Sequence, residues 1–99
     1  MKKIIIPLAP GFEEIEAITV VVILRRSGVR VSIAGLITGA IEGSRGVKII
    51  PDEFLDNIIT DDLDLIVLPG GQPGTNNLIK DRRFAHLLKK MQDKRKIIG

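Results

Sequence analysis

The strongest constraint on the fold comes from the first 24 residues. Ile4-Ile5-Ile6 is a run of β-branched apolar residues that reads as a buried strand. Leu8-Ala9-Pro10-Gly11 breaks it with the residue types of a turn. Glu13, Glu14 and Glu16 then open a segment that becomes almost wholly apolar from Ala17 to Leu24. Carboxylates in a first helical turn are favoured by the positive end of the helix dipole. Strand, turn and helix in that order make the opening half of a βαβ crossover.

The helix is expected from near Glu13 to Ser27, with Gly28 as its left-handed terminator and Arg25 and Arg26 against the negative end of the dipole. Its interior is β-branched, so local propensity alone favours a strand. The flanking caps and the need for a crossover outweigh that preference. The segment is apolar on every side, so it needs cover on two faces: its own sheet, and a further layer from a second subunit or from more of the same chain.

The rest of the sequence repeats the alternation. Lys2 to Ile6 is the first strand, and Val29 to Ala34 is the second, with Val29, Val31 and Ile33 on one side. Gly35 to Gly46 is glycine-punctuated around Ala40-Ile41-Glu42 and reads as an excursion outside the βα rhythm. Val47 to Ile50 is a short strand stopped by Pro51, and 52–59 is expected as a short helix with Phe54, Leu55 and Ile58 inward. Leu63 to Leu68 is a central strand ending at Pro69-Gly70-Gly71. Asn76 to Ile79 reads as a helical turn. Asp81 caps a helix through Met91, with Phe84, Leu87, Leu88 and Met91 on one face. Lys96-Ile97-Ile98-Gly99 looks like the entry to another strand. Residues 1–99 therefore read as one α/β domain, a flavodoxin-like three-layer sandwich with a mostly parallel sheet, and as the N-terminal part of a longer unit.

Composition excludes several functions. The 99 residues carry a formal charge of +3, but Lys and Arg are dispersed, and with no Tyr or Trp there are no stacking aromatics for nucleic acid. The apolar run from Ala17 to Leu24 is far below the roughly 20 residues that span a bilayer. The Met1-Lys2-Lys3 start mimics a signal peptide but is broken by Pro7 and Pro10. A soluble cytoplasmic protein is the expectation. No cysteine is present, hence no disulfide, no cysteine-based zinc site and no thiol nucleophile. Gly70-Gly71-Gln72-Pro73-Gly74 is neither a dinucleotide fingerprint nor a P-loop, and Pro7-Leu8-Ala9-Pro10 lacks the acids of a phosphoacceptor domain. His86, beside Lys89 and Lys90, is expected as a solvated helix residue. No histidine pair, metal cluster or serine triad can be assembled, and neither a cofactor nor a metal is expected.

In open parallel sheets, ligands sit beyond the carboxyl ends of the strands where the strand order reverses. Ala9 to Glu16 and Pro69 to Asn77 fall there. Gly70 and Gly71 offer backbone N–H groups clear of side chains, which suits either a tight turn or an oxyanion-binding turn. Glu16 borders the apolar run. It is either a first-turn glutamate in water or a partly desolvated acid of raised pKa that bonds a nucleophile.

Three stretches in register carry a resemblance: Leu8-Ala9-Pro10-Gly11-Phe12-Glu13-Glu14-Ile15-Glu16-Ala17, then Ser44-Arg45-Gly46-Val47, then Val67-Leu68-Pro69-Gly70-Gly71 with Asn77-Leu78. Together they resemble the ThiJ/PfpI family, in the branch of the Parkinsonism-associated deglycase and not that of the intracellular proteases. The resemblance implies a flavodoxin-like fold and a homodimer whose seam includes the first helix, with Glu14, Ile15, Ala17, Ile18, Val21, Val22 and Arg26 at the interface. It implies that Glu16 is the protonated partner of a reactive cysteine and that Gly70 and Gly71 bind an oxyanion. Arg45 and Arg26 match positions near the dimer seam and anion-binding pocket. The family's cysteine would fall just beyond Gly99, and its histidine later still. The implied activity of the complete protein is glyoxalase- or deglycase-type, on small α-oxoaldehydes or their adducts. The alternatives are a redox-sensing or chaperone-like stress protein using the same cysteine, a peptidase, and a non-catalytic dimerisation module. The implied partners are a second copy or the complementary C-terminal part.

Overall fold

The computed structural model describes residues 3–59, 63–68, 74–93 and 97–98. Strand β1 (Lys3–Leu8) leads into helix α1 (Glu14–Arg26) and strand β2 (Arg30–Gly35). A small excursion follows, made of strands β3 (Ile41–Glu42) and β4 (Lys48–Ile49). Strand β5 (Glu53–Phe54), a 3₁₀ turn (Leu55–Asn57) and strand β6 (Leu65–Val67) come next. Helix α2 (Gly74–Ile79), helix α3 (Arg82–Asp93) and strand β7 (Ile97–Ile98) complete the order. Five strands form a parallel sheet ordered β5-β2-β1-β6-β7, while β3 and β4 pair antiparallel in a sheet of their own. The chain is α/β with a flavodoxin-like order.

Strand periodicity divides the core in two. In β1, Ile4, Ile6 and Leu8 point to the α1 side and join Phe12, Ala17, Val21, Val31 and Ile33. Ile5 points the other way, to Ile66, Leu78, Phe84, Leu87 and Met91 beneath α2 and α3. Each such isoleucine or leucine, removed from water, stabilises the fold by about 1.5–3 kcal/mol. That burial is why β1 runs on through Pro7 to Leu8, past the expected Ile6, paired with β2 at every residue.

Helix α1 forms against the propensity of its β-branched interior because packing decides it. Its ends are capped as expected. The Glu13 carboxylate accepts the Ile15 N–H at 2.8 Å, and Gly28 takes φ +85° just past the last turn. The expected helix over 52–59 is not found. Glu53 and Phe54 instead pair with Ala34 and Gly35 at the edge of β2. Asp52 directs this outcome, because its carboxylate accepts the Ile33 N–H at 2.8 Å and an Arg25 N–H at 2.8 Å. A side chain that satisfies a strand edge draws the following residues into the sheet. Arg25, expected only to face the helix dipole, is thereby an anchor between α1 and β2, where it also donates to the Val31 carbonyl.

Candidate functional site

The strand order reverses at β1, since the chain turns to β2 on one side and later returns as β6 on the other. A crevice therefore opens beyond the carboxyl ends of β1 and β6. Two hydrogen bonds clasp its walls. The Gly74 N–H donates to the Gly11 carbonyl at 3.0 Å, and Asn77 Nδ2 donates to the Pro10 carbonyl at 2.6 Å. The approach at Gly74 leaves no room for a side chain, because a Cβ there would lie 2.6 Å from Phe12 Cα.

Glu16 stands on the first turn of α1 with its residue surface exposed. Of the two environments open to this acid, first-turn glutamate in water or partly desolvated acid, the described residues give it the exposed one. The buried carboxylate is Glu14, the only charged residue among those described that is buried. Its Oε2 accepts the Arg45 N–H at 2.7 Å and the Val47 N–H at 3.2 Å, and its Oε1 accepts the Ser44 hydroxyl at 3.2 Å. Burial pushes the Glu14 carboxyl up. Its own backbone N–H, those of Val47 and Arg45, and the Ser44 hydroxyl together outweigh that and hold it below the ordinary glutamate value. It is an ionised acid in a ring of donors. Gly43 makes the approach possible, since a Cβ at that position would lie 2.5 Å from the Glu14 carboxyl carbon.

Two expectations change here. Glu14 was expected as a helix-start charge and an interface residue, but it faces the Ser44–Val47 turn of its own chain. Ala17 and Val21, also expected at an interface, are 1% and 4% exposed inside the α1-side core. The reason is helical spacing: 14, 17 and 21 share the face of α1 that meets the sheet. That spacing was readable in the sequence, where Glu14 looked no different from Glu13. Ile15, Val22 and Ile23 point outward, at 76%, 45% and 57% exposure, and Ile18 is half-buried. Arg26 is exposed as well.

Arg45 is exposed at the tip of the excursion, and among the described residues its guanidinium makes no ion pair. It lines a cleft of about 390 Å³ with Glu13, Glu14, Ile15 and Val47. The expected oxyanion turn at Gly70 and Gly71 lies outside the described residues. His86 is exposed on α3, in a separate cleft of about 270 Å³ with Leu55, Asp56, Ile58, Arg83, Leu87 and Lys90. Among the described residues, no group of three or more histidine or acidic side chains is placed to hold a metal ion. No helix among them is long and apolar enough to cross a membrane.

A parallel three-layer sheet with an acid-bearing helix start at its switch point places the chain in the flavodoxin-like α/β class. Within that class it belongs to the DJ-1/PfpI family, whose model matches residues 2–99. It is 40% identical over 92 residues to protein dj-1beta of Drosophila melanogaster, covering 92% of this chain and 49% of that protein. It is 34% identical over 99 residues to the glutathione-independent glyoxalase DJR-1.2 of Caenorhabditis elegans, covering 99% of this chain and 53% of that protein. Among solved structures, oxidized Toxoplasma gondii DJ-1 superposes with a TM-score of 0.92 at 31% identity, over 98% of this chain and 54% of that one. The chain thus spans about half the length of the dj-1beta and glyoxalase relatives it matches.

Proposed function

We propose that residues 1–99 supply half of a cysteine-dependent site that acts on small α-oxoaldehydes or their adducts, in the manner of a glyoxalase or deglycase. The observation that carries this reading is the position of Glu16. It stands on the first turn of α1, at the carboxyl end of β1 and beside the topological switch point. An acid there can hold and pass the proton of a thiol while the thiolate attacks the carbonyl carbon. The 34% identity to the worm glyoxalase supports the same chemistry. Residues 1–99 contain no cysteine, so the reading requires the thiol to come from residues outside this sequence. Gly70 and Gly71 would donate backbone N–H groups to the oxyanion, and Arg45 would hold an anionic or carbonyl oxygen at the rim. The exposed Ile15, Val22 and Ile23 form the face on which a second copy packs.

The test is methylglyoxal turnover by the full-length protein. Glu16→Gln and Glu16→Leu should abolish it, and unchanged turnover would remove Glu16 from the mechanism. A redox-sensing role for the same cysteine is the second reading, favoured by the likeness to a DJ-1 solved in an oxidized state. Mass spectrometry after mild peroxide treatment should then find that cysteine selectively oxidised.

A further inference from the structure

We propose that Glu14 is a positioning residue for the site, fixing the backbone on either side of Arg45 so that the guanidinium is presented at the rim of the 390 Å³ cleft. The inference rests on the reading of Arg45 given above and extends it to a residue with no assigned role.

Four observations lead to it. The excursion that carries Arg45 has little structure of its own, because β3 and β4 are two residues each and pair only at Ile41–Ile49 and Glu42–Lys48. So short a hairpin is not stable in water without outside support. Its tip is a tight turn in which the Gly46 N–H meets the Gly43 carbonyl at 3.1 Å and Gly46 takes φ +87°. The support comes from the start of α1. Ser44 N–H donates to the Phe12 carbonyl at 2.9 Å, and Arg45 N–H, Val47 N–H and Ser44 Oγ all converge on the one Glu14 carboxylate. Finally, Gly43 lies so close to that carboxylate that a methyl group would displace it. The acid and the turn are fitted to each other.

Charge-assisted bonds, such as those from the Arg45 and Val47 N–H groups that flank Gly46, are stronger and more directional than neutral ones. They hold the Cα–Cβ vector of Arg45 while leaving its guanidinium free. The Glu14 oxygens are taken up by the Ser44, Arg45 and Val47 donors, so its part in the site is assigned to the backbone that carries Arg45.

The experiment measures KM and kcat for methylglyoxal in the full-length protein, comparing wild type with Glu14→Ala, Glu14→Gln, Arg45→Ala and the Glu14→Ala/Arg45→Ala pair. Loss of the anchor should raise KM on the order of tenfold, about the effect of losing one hydrogen bond made by a charged group such as the Arg45 guanidinium. It should leave kcat within about twofold, because a uniform binding interaction is what is lost. The double variant should be no worse than Arg45→Ala, and Glu14→Gln, which keeps one acceptor oxygen, should fall between. If Glu14→Ala does not fold, Glu14→Gln carries the same comparison. A raised KM in Arg45→Ala with wild-type KM in the Glu14 variants would overturn the positioning role and leave that of Arg45 standing. Wild-type KM in every variant would overturn both. Additive effects in the double variant, or a loss confined to kcat, would also overturn it, since Glu14 would then be acting by some other route.

Discussion

Replacing Gly74 by alanine adds one methyl group at the point where α2 crosses the loop after β1. That Cβ would lie 2.6 Å from Phe12 Cα, 2.8 Å from Phe12 N and 3.0 Å from the Gly11 carbonyl carbon. Carbon atoms in good contact sit about 3.5–4.0 Å apart, so the deficit is close to 1 Å. All three neighbours are backbone, and none can rotate away. The start of α2 must therefore lift off, stretching the 3.0 Å bond from Gly74 N to Gly11 O and the 2.6 Å bond from Asn77 Nδ2 to Pro10 O. Overpacking of this kind costs about 1–3 kcal/mol. Alanine's better helix propensity returns at most about 1 kcal/mol, and less at a first helical residue. The expected balance is a loss of about 2 kcal/mol, which lowers Tm by about 4–8 °C in a protein of the length of the relatives it matches. Thermal melts followed by circular dichroism would read this directly. Gly43→Ala makes a useful comparison, because its methyl meets the end of the Glu14 side chain and not backbone, so the carboxylate can swing away at the cost of its own bonds. A Tm for Gly74→Ala equal to or above that of the wild type would refute the close approach of the two loops.

Three further outcomes follow from the same structure. Met91→Ala removes a side chain with no exposed surface from the core beneath α3, and should cost about 2–5 kcal/mol by chemical denaturation with an unchanged m value. On α1, Val21→Asp should prevent folding, whereas Ile23→Asp should leave the secondary structure intact, because residue 21 is in the core and residue 23 is not; sedimentation of the same variant tests the proposed packing of a second copy on this face. Glu14 sets an acid limb: its carboxyl is held below the ordinary glutamate value of about 4.3, so its stabilising effect is complete above that pH and is lost as pH falls through the lower folded-state value. Protection of the Arg45 and Val47 amides, taken relative to their intrinsic exchange rates at each pH, should fall only in that acid range, and Glu14→Gln should remove the dependence.

Much of this was legible along the chain. The alternation of β2 and the helical period of α3 placed those elements to within a residue or two, because burial on one face imprints itself on the sequence, while α1 was placed by its caps and the crossover it has to make. The excursion at Gly35–Gly46 was visible from its glycines. What failed was local in origin. Residues 52–59 read as a helix because the free edge of β2, and the use of Asp52 to satisfy it, are not sequence-local facts.

The candidate site divides along the same line. Sequence alone sufficed to place three acids at the start of a helix after a buried strand, and a glycine-punctuated excursion after the next strand. Those follow from residue types and their spacing. It took the tertiary structure to decide which acid is buried. Glu13 caps the helix, Glu16 is turned outward, and Glu14 lies in the ring of donors made by Ser44, Arg45 and Val47, some 30 residues further along the chain. A carboxylate's environment is set by the groups that surround it in space, and those groups arrive only when the excursion folds back onto α1.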